Sequence, residues 1–163
     1  MKEGRNIVFA TKEDRGEILA LYKSQIGREY CPWDEHYPGD EQITFDLSRN
    51  SLIVMKEDKR IIGAISIDSD EEVEKLECWS KELQPVAELS RLAVAVEYQD
   101  QGIARKLILH AMDVLRDRKY MAVHYIVNQL NVKALRSYEQ LQFQKVGECR
   151  LFEQPFWCFE KAL

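Results

Sequence analysis

Residues 88–106 of the chain read Glu-Leu-Ser-Arg-Leu-Ala-Val-Ala-Val-Glu-Tyr-Gln-Asp-Gln-Gly-Ile-Ala-Arg-Lys, and this stretch decides the fold. Its first part, residues 88–96, is mostly apolar with few breakers, which predicts a buried strand. A helical pattern begins at about Gly102, after a polar turn. The first N–H groups of a helix have no partner inside the helix, and the helix dipole adds about half a positive charge there. A strand, a tight turn and a helix N-terminus in this order predict a phosphate-binding site.

The other elements follow from the spacing of apolar residues and from the polar breaks between them. Strands are predicted over residues 6–10, 51–56, 60–67, 120–127, 143–151 and 155–161, and helices over 11–26, 40–47, 102–119 and 131–141. Residues 28–39 show no clean period, and their aromatic side chains either line a ligand pocket or pack against the domain. Residues 68–82 are acidic, which indicates either a solvated segment or a binding surface for a cationic acceptor.

Length and composition predict one globular domain over residues 1–163. The net charge of −5 disfavours the backbone of a nucleic acid as a partner and favours cationic ligands. No stretch is apolar for long enough to cross a membrane and the first residues lack a signal-peptide core, so the expected location is the cytoplasm. The four cysteines lack the spacing of a metal site and are expected to be free thiols: Cys31, Cys78, Cys149 and Cys158.

Two motifs carry a resemblance to a known family. Residues 99–104, Gln-Asp-Gln-Gly-Ile-Ala, fit the pattern [Gln/Arg]-x-x-Gly-x-[Gly/Ala] of the GNAT N-acetyltransferase superfamily. Residues 131–143 resemble the segment Asn-x-x-Ala-x-x-x-Tyr-[Glu]-x-x-Gly-Phe of the same family. The resemblance covers essentially the whole chain, because the predicted order of strands and helices is also that of the family. It implies an α/β fold with a mixed, mostly antiparallel sheet of about seven strands and about four flanking helices.

The resemblance implies that acetyl-CoA is the co-substrate, that no metal is needed, and that an amine accepts the acetyl group in a ternary complex. Backbone amides of the turn would then bind the pyrophosphate, the central strand would pair with the pantetheine arm, and Asn131 would lie against that arm. Asn131 fits the position of a helix N-cap equally well. The implied cofactor-binding residues are Leu92, Ala93, Val94, Gln99, Asp100, Gln101, Gly102, Ile103, Ala104, Arg105 and Asn131.

A lysine-type amine has an ordinary pKa near 10.4, so it must lose a proton before it attacks a thioester. Glu88 aligns with the base glutamate of the histone-acetyltransferase branch, fourteen positions before the motif glycine. Burial would raise its pKa toward a useful range. Two alternatives stay open: Glu88 forms a salt bridge at the strand edge, for example with Arg91, or a chain of water molecules takes the proton.

The departing thiolate must in turn receive a proton. The family tyrosine that aligns with Tyr138 lies beside the CoA sulfur, and a phenol with a pKa near 10 is a suitable donor. The apolar periodicity of residues 131–141 alone would instead make Tyr138 a core residue.

Two departures from the family pattern are informative. Gln142 stands where the family has a glycine with a left-handed backbone, so we expect a different helix ending or a strained Gln142. Ile126 stands where acetylases of protein N-termini often carry a glutamate, which argues against that subgroup. The expected acceptor is a primary amine of a small molecule or a peptide. Alternatives are a protein or peptide acetylase and a non-catalytic module that binds acyl-CoA, and homodimers are common in such families.

Overall fold

The computed structural model describes residues 4–163, which form one seven-stranded sheet in the order β1-β2-β3-β4-β5-β7-β6. All neighbouring strands are antiparallel except β4 and β5, which run parallel. This mixed, mostly antiparallel sheet confirms the predicted fold. The strands are β1 (Arg5–Phe9), β2 (Leu52–Glu57), β3 (Arg60–Asp68), β4 (Val86–Val94), β5 (Ala122–Asn128), β6 (Gln144–Leu151) and β7 (Gln154–Ala162). The helices are α1 (Arg15–Lys23), α2 (Asp40–Ser48), α3 (Glu71–Glu74), α4 (Ile103–Asp117) and α5 (Val132–Gln140).

Helices cover both faces of the sheet and bury two separate apolar cores. On one face, α4 and α5 pack on the central strands, and the α4 side chains of Leu107, Ile108 and Leu115 are fully buried. On the other face, α1 and α2 bury Ile18, Tyr22 and Ile43 against β2 and β3. The central strands β2 to β5 are therefore largely shielded from water on both sides, as their apolar sequences require.

The strands β4 and β5 are paired over only three residues each. The last pair joins Glu88 to His124, and beyond it the two strands diverge. Each strand therefore continues with backbone N–H and C=O groups that face a gap in the middle of the sheet rather than a partner strand. A gap of this kind is open to an extended ligand that hydrogen-bonds to a strand edge.

A bulge interrupts β4 on its other side, at its pairing with β3. Ser66 lies opposite Ser90 and Ala64 lies opposite Ala93, so one residue of β3 faces two residues of β4. Arg91 takes the extra position with a left-handed φ of 48°. Bulges redirect side chains next to active sites, and this one turns Arg91 toward α2.

The strands and helices predicted from the sequence are present, but several of them begin or end a few residues away from the predicted positions. The central strand lies two residues earlier than predicted, because residues 96–98 form a 3-10 turn. The first helix starts with a 3-10 turn, Lys12–Asp14, and its α-helical part ends at Lys23. The acidic segment contributes the additional short helix α3.

Candidate active site

A cleft of about 860 Å³ lies where β4 and β5 diverge. One wall consists of residues 28–39, the aromatic loop, and the floor includes the side chains of Glu88, Ser90 and Leu92 from β4. The far wall is formed by β5 and by the first turns of α5. The cleft thus joins the predicted phosphate turn at one end to the acidic segment at the other.

The turn between β4 and α4 has the predicted geometry. Gly102 is the N-cap of α4 with a left-handed φ of 77°, and no atom lies within 4 Å of the place where a Cβ would be. Asp100 is also left-handed, with a φ of 60°. Gln99 and Ala104 line the cleft, whereas the side chain of Ile103 is buried in the core and leaves only its backbone for a ligand. The side chains of Asp100, Gln101 and Arg105 are exposed around this turn.

Several polar side chains fix this turn in place. The Gln99 Nε2 atom donates to the Val94 carbonyl at 3.0 Å, and the Lys133 Nζ atom donates to Gln99 Oε1 at 2.8 Å. Lys133 also lies 3.3 Å from a carboxylate oxygen of Asp100. Gln101 accepts a hydrogen bond from Arg5 at 2.7 Å. Lys133, which the family pattern did not single out, therefore places a positive charge beside the predicted phosphate site.

The predicted pantetheine strand is only partly exposed to the cleft. Leu92 and Val94 line it, whereas the Ala93 side chain packs into the core on the α1 side. Asn131 lines the cleft and is also the N-cap of α5, where its Oδ1 atom accepts from the Ala134 N–H at 3.1 Å. Both interpretations of Asn131 thus fit its position.

Glu88 lies at the point where the two strands part. Its side chain lines the cleft although the residue is only 4% exposed, and its Oε1 atom has no hydrogen-bond partner among residues 4–163. Burial raises the pKa of Glu88 well above its ordinary value, and the nearby carboxylates of Asp68 and Asp70 raise it further against the opposing effect of Arg91. A buried carboxylate with a free oxygen and a raised pKa has the properties of a general base.

Arg91 forms a buried ion network that does not include a salt bridge with Glu88. Its guanidinium donates to both carboxylate oxygens of Asp46 at 2.9 and 3.0 Å, and to Asp68 at 3.0 Å. It also donates to the Tyr37 hydroxyl at 3.2 Å, which ties the aromatic loop to β4. Burial opposes ionisation of Asp68, but the charge and hydrogen bond of Arg91 prevail and lower its pKa. Arg91 is thus neutralised by two carboxylates, so the alternative in which it pairs with Glu88 is not realised.

Tyr138 is fully buried and does not line the cleft. Its ring lies 4.3 Å from that of Tyr125 and 5.1 Å from that of Phe143, and its hydroxyl makes no well-aligned hydrogen bond within residues 4–163. Burial raises its pKa well above 10.0, with a further contribution from the Tyr125 hydroxyl. Tyr125 does line the cleft, and burial raises its pKa to about 12. The structure therefore places Tyr125 between Tyr138 and the cleft.

A family model described as the Acetyltransferase (GNAT) family matches residues 17–143. The chain belongs to the GNAT acetyltransferase family. No curated protein sequence gives a significant match.

Solved GNAT structures have the same fold over nearly the whole chain. The ribosomal-protein-alanine N-acetyltransferase of Brucella melitensis is 19% identical, with a TM-score of 0.77 over 97% of this chain and 99% of its own. The PaiA N-acetyltransferase of Thermoplasma acidophilum, solved in complex with coenzyme A, is 17% identical, with a TM-score of 0.76 over 100% of both chains. An N-acetyltransferase of Staphylococcus aureus Mu50 is 18% identical, with a TM-score of 0.75 over 97% of this chain and 98% of its own.

Membership in the GNAT family makes acetyl-CoA the co-substrate and N-acetyl transfer the reaction. The cleft fits this ligand, because an extended arm can pair with the free edge of β4 while the pyrophosphate meets the N-terminus of α4. Among residues 4–163, no group of three or more His, Cys, Asp or Glu side chains is arranged to hold a metal ion. In the same part of the chain, no helix is long and apolar enough to span a bilayer.

The GNAT motifs did not reveal two residues that shape the site. Arg91 differs from other strand residues only through the bulge, and its partner Asp46 is 45 positions away in the sequence. Tyr125 occupies an inward position of a buried strand, where an aromatic residue is ordinarily part of the core. Only the divergence of β4 and β5 exposes it to the cleft.

The segments that the motifs left open also have clear positions. Tyr30, Trp33 and Tyr37 line the cleft, and Trp33 also contacts Tyr22 edge to face at 5.6 Å. The acidic segment divides into two parts. Residues 68–70 and Val73 line the cleft, whereas Trp79 stacks on the buried His124 at 4.2 Å and covers the sheet.

The cysteines are free thiols, as predicted. Cys149 and Cys158 lie 3.8 Å apart at their sulfur atoms, under the cover that Trp79 provides. Cys31 lines the cleft. Burial raises the pKa of Cys149, so this thiol stays protonated at neutral pH.

Proposed function

We propose that this GNAT enzyme acetylates a primary amine of a small molecule or a peptide by direct attack in a ternary complex. The observation that carries the proposal is Glu88, a buried carboxylate with a free oxygen at the point where the cleft opens between β4 and β5. It lies where an amine can meet the thioester of a ligand held along β4. The proton acceptor for the amine and the binding surface for the cofactor thus lie in one cleft.

The reaction divides into three steps. The amine gives a proton to Glu88 and its nitrogen attacks the thioester carbonyl, so that a C–N bond forms. A backbone amide near Val94 stabilises the negative charge that develops on the carbonyl oxygen. The C–S bond then breaks, and the CoA thiolate takes a proton from the pair formed by Tyr138 and Tyr125. The nitrogen of the new amide gives up its remaining extra proton to the phenolate, which restores the pair. Since Tyr125 is the phenol that lines the cleft, we propose that the proton of Tyr138 reaches the sulfur through it.

The cofactor is held by elements at the opposite end of the cleft. The N–H groups that follow Gly102 are free at the N-terminus of α4 and point toward a bound phosphate. Lys133 adds a positive charge beside Gln99. Leu92, Val94 and Asn131 line the intervening path and hold the pantetheine arm.

Peptide acceptors remain one of the two acceptor classes in this proposal. The Brucella melitensis neighbour is named for a ribosomal protein, and a plant neighbour, Naa50 of Arabidopsis thaliana, was solved with a peptide-CoA analogue. Both are less than 20% identical to this chain, so they support the fold alone. Ile126 lines the cleft where N-terminal acetylases often carry a glutamate, and this favours a small amine.

Catalysis is tested by mixing the protein with acetyl-CoA and a panel of primary amines and measuring thiol release. Turnover of at least one amine is the expected result. Tight CoA binding without turnover of any amine would instead support the non-catalytic module.

Cytoplasmic location and a homodimer also remain predictions. Light scattering of the purified protein measures its oligomeric state.

The cofactor site is tested with Gly102→Trp, which places a bulky ring at the predicted phosphate position. Gly27→Trp is the matched control, because Gly27 is also left-handed, with a φ of 83°, does not line the cleft, and a Cβ added there would likewise meet no atom within 4 Å. We expect the first variant to lose CoA affinity while it keeps its circular dichroism spectrum, and the control to keep both. Unchanged affinity in Gly102→Trp would remove the phosphate site from this turn.

A further inference from the structure

The cleft is strongly acidic for a protein that must bind the anion CoA. Six carboxylates line it against three cationic side chains, Arg28, Arg91 and Lys133. Arg91 is already neutralised by Asp46 and Asp68. The carboxylates are Glu29, Asp34, Glu41, Asp68, Asp70 and Glu88.

The two signs of charge are separated along β4. Lys133 lies beside Gln99, and Arg28 donates to Gln25, which in turn donates to the carbonyl of Val94 at the end of β4. Two of the three cations are therefore near the predicted phosphate site, where Lys133 is shared between Gln99 and Asp100. Glu88 lies at the opposite end of the cleft, six residues earlier, which is about 20 Å along a strand.

Two carboxylates at this acidic end lack a cationic partner within residues 4–163. Glu88 is 4% exposed, and its Oε1 atom has no hydrogen-bond partner in the described part of the chain. Among the described residues, the carboxylate of Asp70 accepts only from the backbone N–H of Glu72, at 2.9 Å. A buried carboxylate without a partner is costly to keep in a folded protein, so its presence at the cleft indicates a ligand that supplies the missing proton or charge.

A second acidic group lies at the mouth of the cleft. Glu41 on α2 lines the cleft, and its side chain forms no ion pair or hydrogen bond with residues 4–163. One carboxylate oxygen of Asp34, in the aromatic loop, accepts hydrogen bonds from the backbone N–H groups of residues 36 and 37. The aromatic rings of Trp33 and Tyr37 also line the cleft and come from the same loop as Asp34.

We propose that the acceptor is a linear aliphatic amine with at least two protonated nitrogens, a diamine or polyamine that spans from Glu88 to the carboxylates of Glu41 and Asp34. This inference rests on the proposed function. The reacting nitrogen gives its proton to Glu88, and the second nitrogen keeps its charge at the mouth. The methylene chain between them packs on the aromatic rings, whose faces also attract an ammonium group.

A flexible methylene chain fits this wall better than a peptide does. A peptide would bring amide groups against Trp33 and Tyr37, where each amide that loses its water without gaining a hydrogen bond weakens binding. A methylene chain has no such groups. The second ammonium also lowers the pKa of the first by repulsion between like charges, which makes the free amine more available.

The test compares three amines of equal chain length: 1-aminobutane, 1,4-diaminobutane and 4-aminobutanoic acid. We expect kcat/KM for the diamine to exceed that for the monoamine by about tenfold, and the amino acid to be the poorest substrate, because its carboxylate meets the carboxylates at the mouth. Added salt should reduce the advantage of the diamine.

Glu41→Gln should lower kcat/KM for the diamine and bring it toward that for the monoamine. Glu13→Gln is the matched control, since Glu13 is exposed and lies outside the cleft, and it should change neither value. Isothermal titration of the diamine into the CoA complex should show weaker binding to Glu41→Gln than to the wild type or to Glu13→Gln.

The outcomes separate this inference from the proposed function. Equal kcat/KM values for monoamine and diamine would overturn the second charge site while acetyl transfer itself stands. A lysine-rich peptide that reacts faster than the diamine would overturn the choice of a small acceptor. No turnover with any amine would remove the proposed function, and this inference with it.

Discussion

The end of α5 offers a stability prediction with a definite sign. The Phe143 N–H donates to the Tyr138 carbonyl at 3.0 Å, and the Gln142 N–H donates to the Glu139 carbonyl at 3.0 Å. This is the pattern of the Schellman motif, and the ring contact between Phe143 and Tyr138 supplies its usual apolar pair. The motif needs a left-handed residue after the helix, and Gln142 adopts a φ of 65° to provide it. The expected strained Gln142 is thus confirmed.

Gln142→Gly should therefore stabilise the protein. A left-handed backbone costs a residue with a Cβ about 1–2 kcal/mol. Glycine removes this cost but loses about 0.5–1 kcal/mol more through the entropy of the unfolded chain. The difference is about 1 kcal/mol in favour of the variant, which raises Tm by about 2–4 °C in a domain of this size. Because Gln142 is exposed and lies outside the cleft, kcat should not change.

Urea denaturation and thermal unfolding measure the effect against two controls. Gln142→Ala keeps the Cβ and the strain, so its stability should match that of the wild type. Gln140→Gly lies in the last turn of α5, where the loss of helix propensity should destabilise by about 1 kcal/mol. If both glycine variants lose stability, the argument from backbone strain is refuted.

Three further predictions concern the site. Glu88→Gln should shift the pH profile of activity to higher pH. Because burial raises the pKa of Glu88, the wild type loses stability as the pH rises through that raised pKa. The variant should therefore be the more stable protein in urea titrations at alkaline pH, and the two stabilities should converge below about pH 4.5. Tyr138→Phe should lower kcat by about tenfold or more with CoA affinity retained, and Tyr125→Phe should cause a similar loss that does not add in the double variant; wild-type kcat in both, when chemistry limits the rate, would exclude the phenol pair. Arg91→Met should destabilise by about 3–5 kcal/mol in urea, since it leaves buried carboxylates unpaired, and Asp46→Asn should restore part of the loss; a cost below about 1 kcal/mol would show that the network is solvated.

The sequence predicts the order of the elements because each one is encoded locally. The apolar run of the central strand, the glycine at the start of α4 and the apolar stripe of α4 can be read within one stretch. The ends of elements depend on neighbours instead. The central strand stops at Val94 because the chain turns there, and the side chains of Gln25 and Gln99 both donate to the Val94 carbonyl.

The site was predictable where a motif fixes the backbone and unpredictable where distant side chains meet. Gly102 and Asn131 took the expected positions because a turn and an N-cap require them. The partners of Arg91 could not be read from spacing, since α2, β3 and the aromatic loop each contribute one. The placement of Tyr125 in front of Tyr138 likewise depends on how far two strands diverge.

The separation of charge along the cleft also gives the catalytic cycle a direction. Acetylation converts an ammonium ion into a neutral amide, so the group that leaves Glu88 no longer carries the charge that the acidic end attracts. Under the proposed function, the product is therefore bound more weakly than the unreacted amine, whereas the N-terminus of α4 attracts the released CoA as it attracts acetyl-CoA. We therefore expect accumulated acetylated product to inhibit the enzyme less than free CoA does.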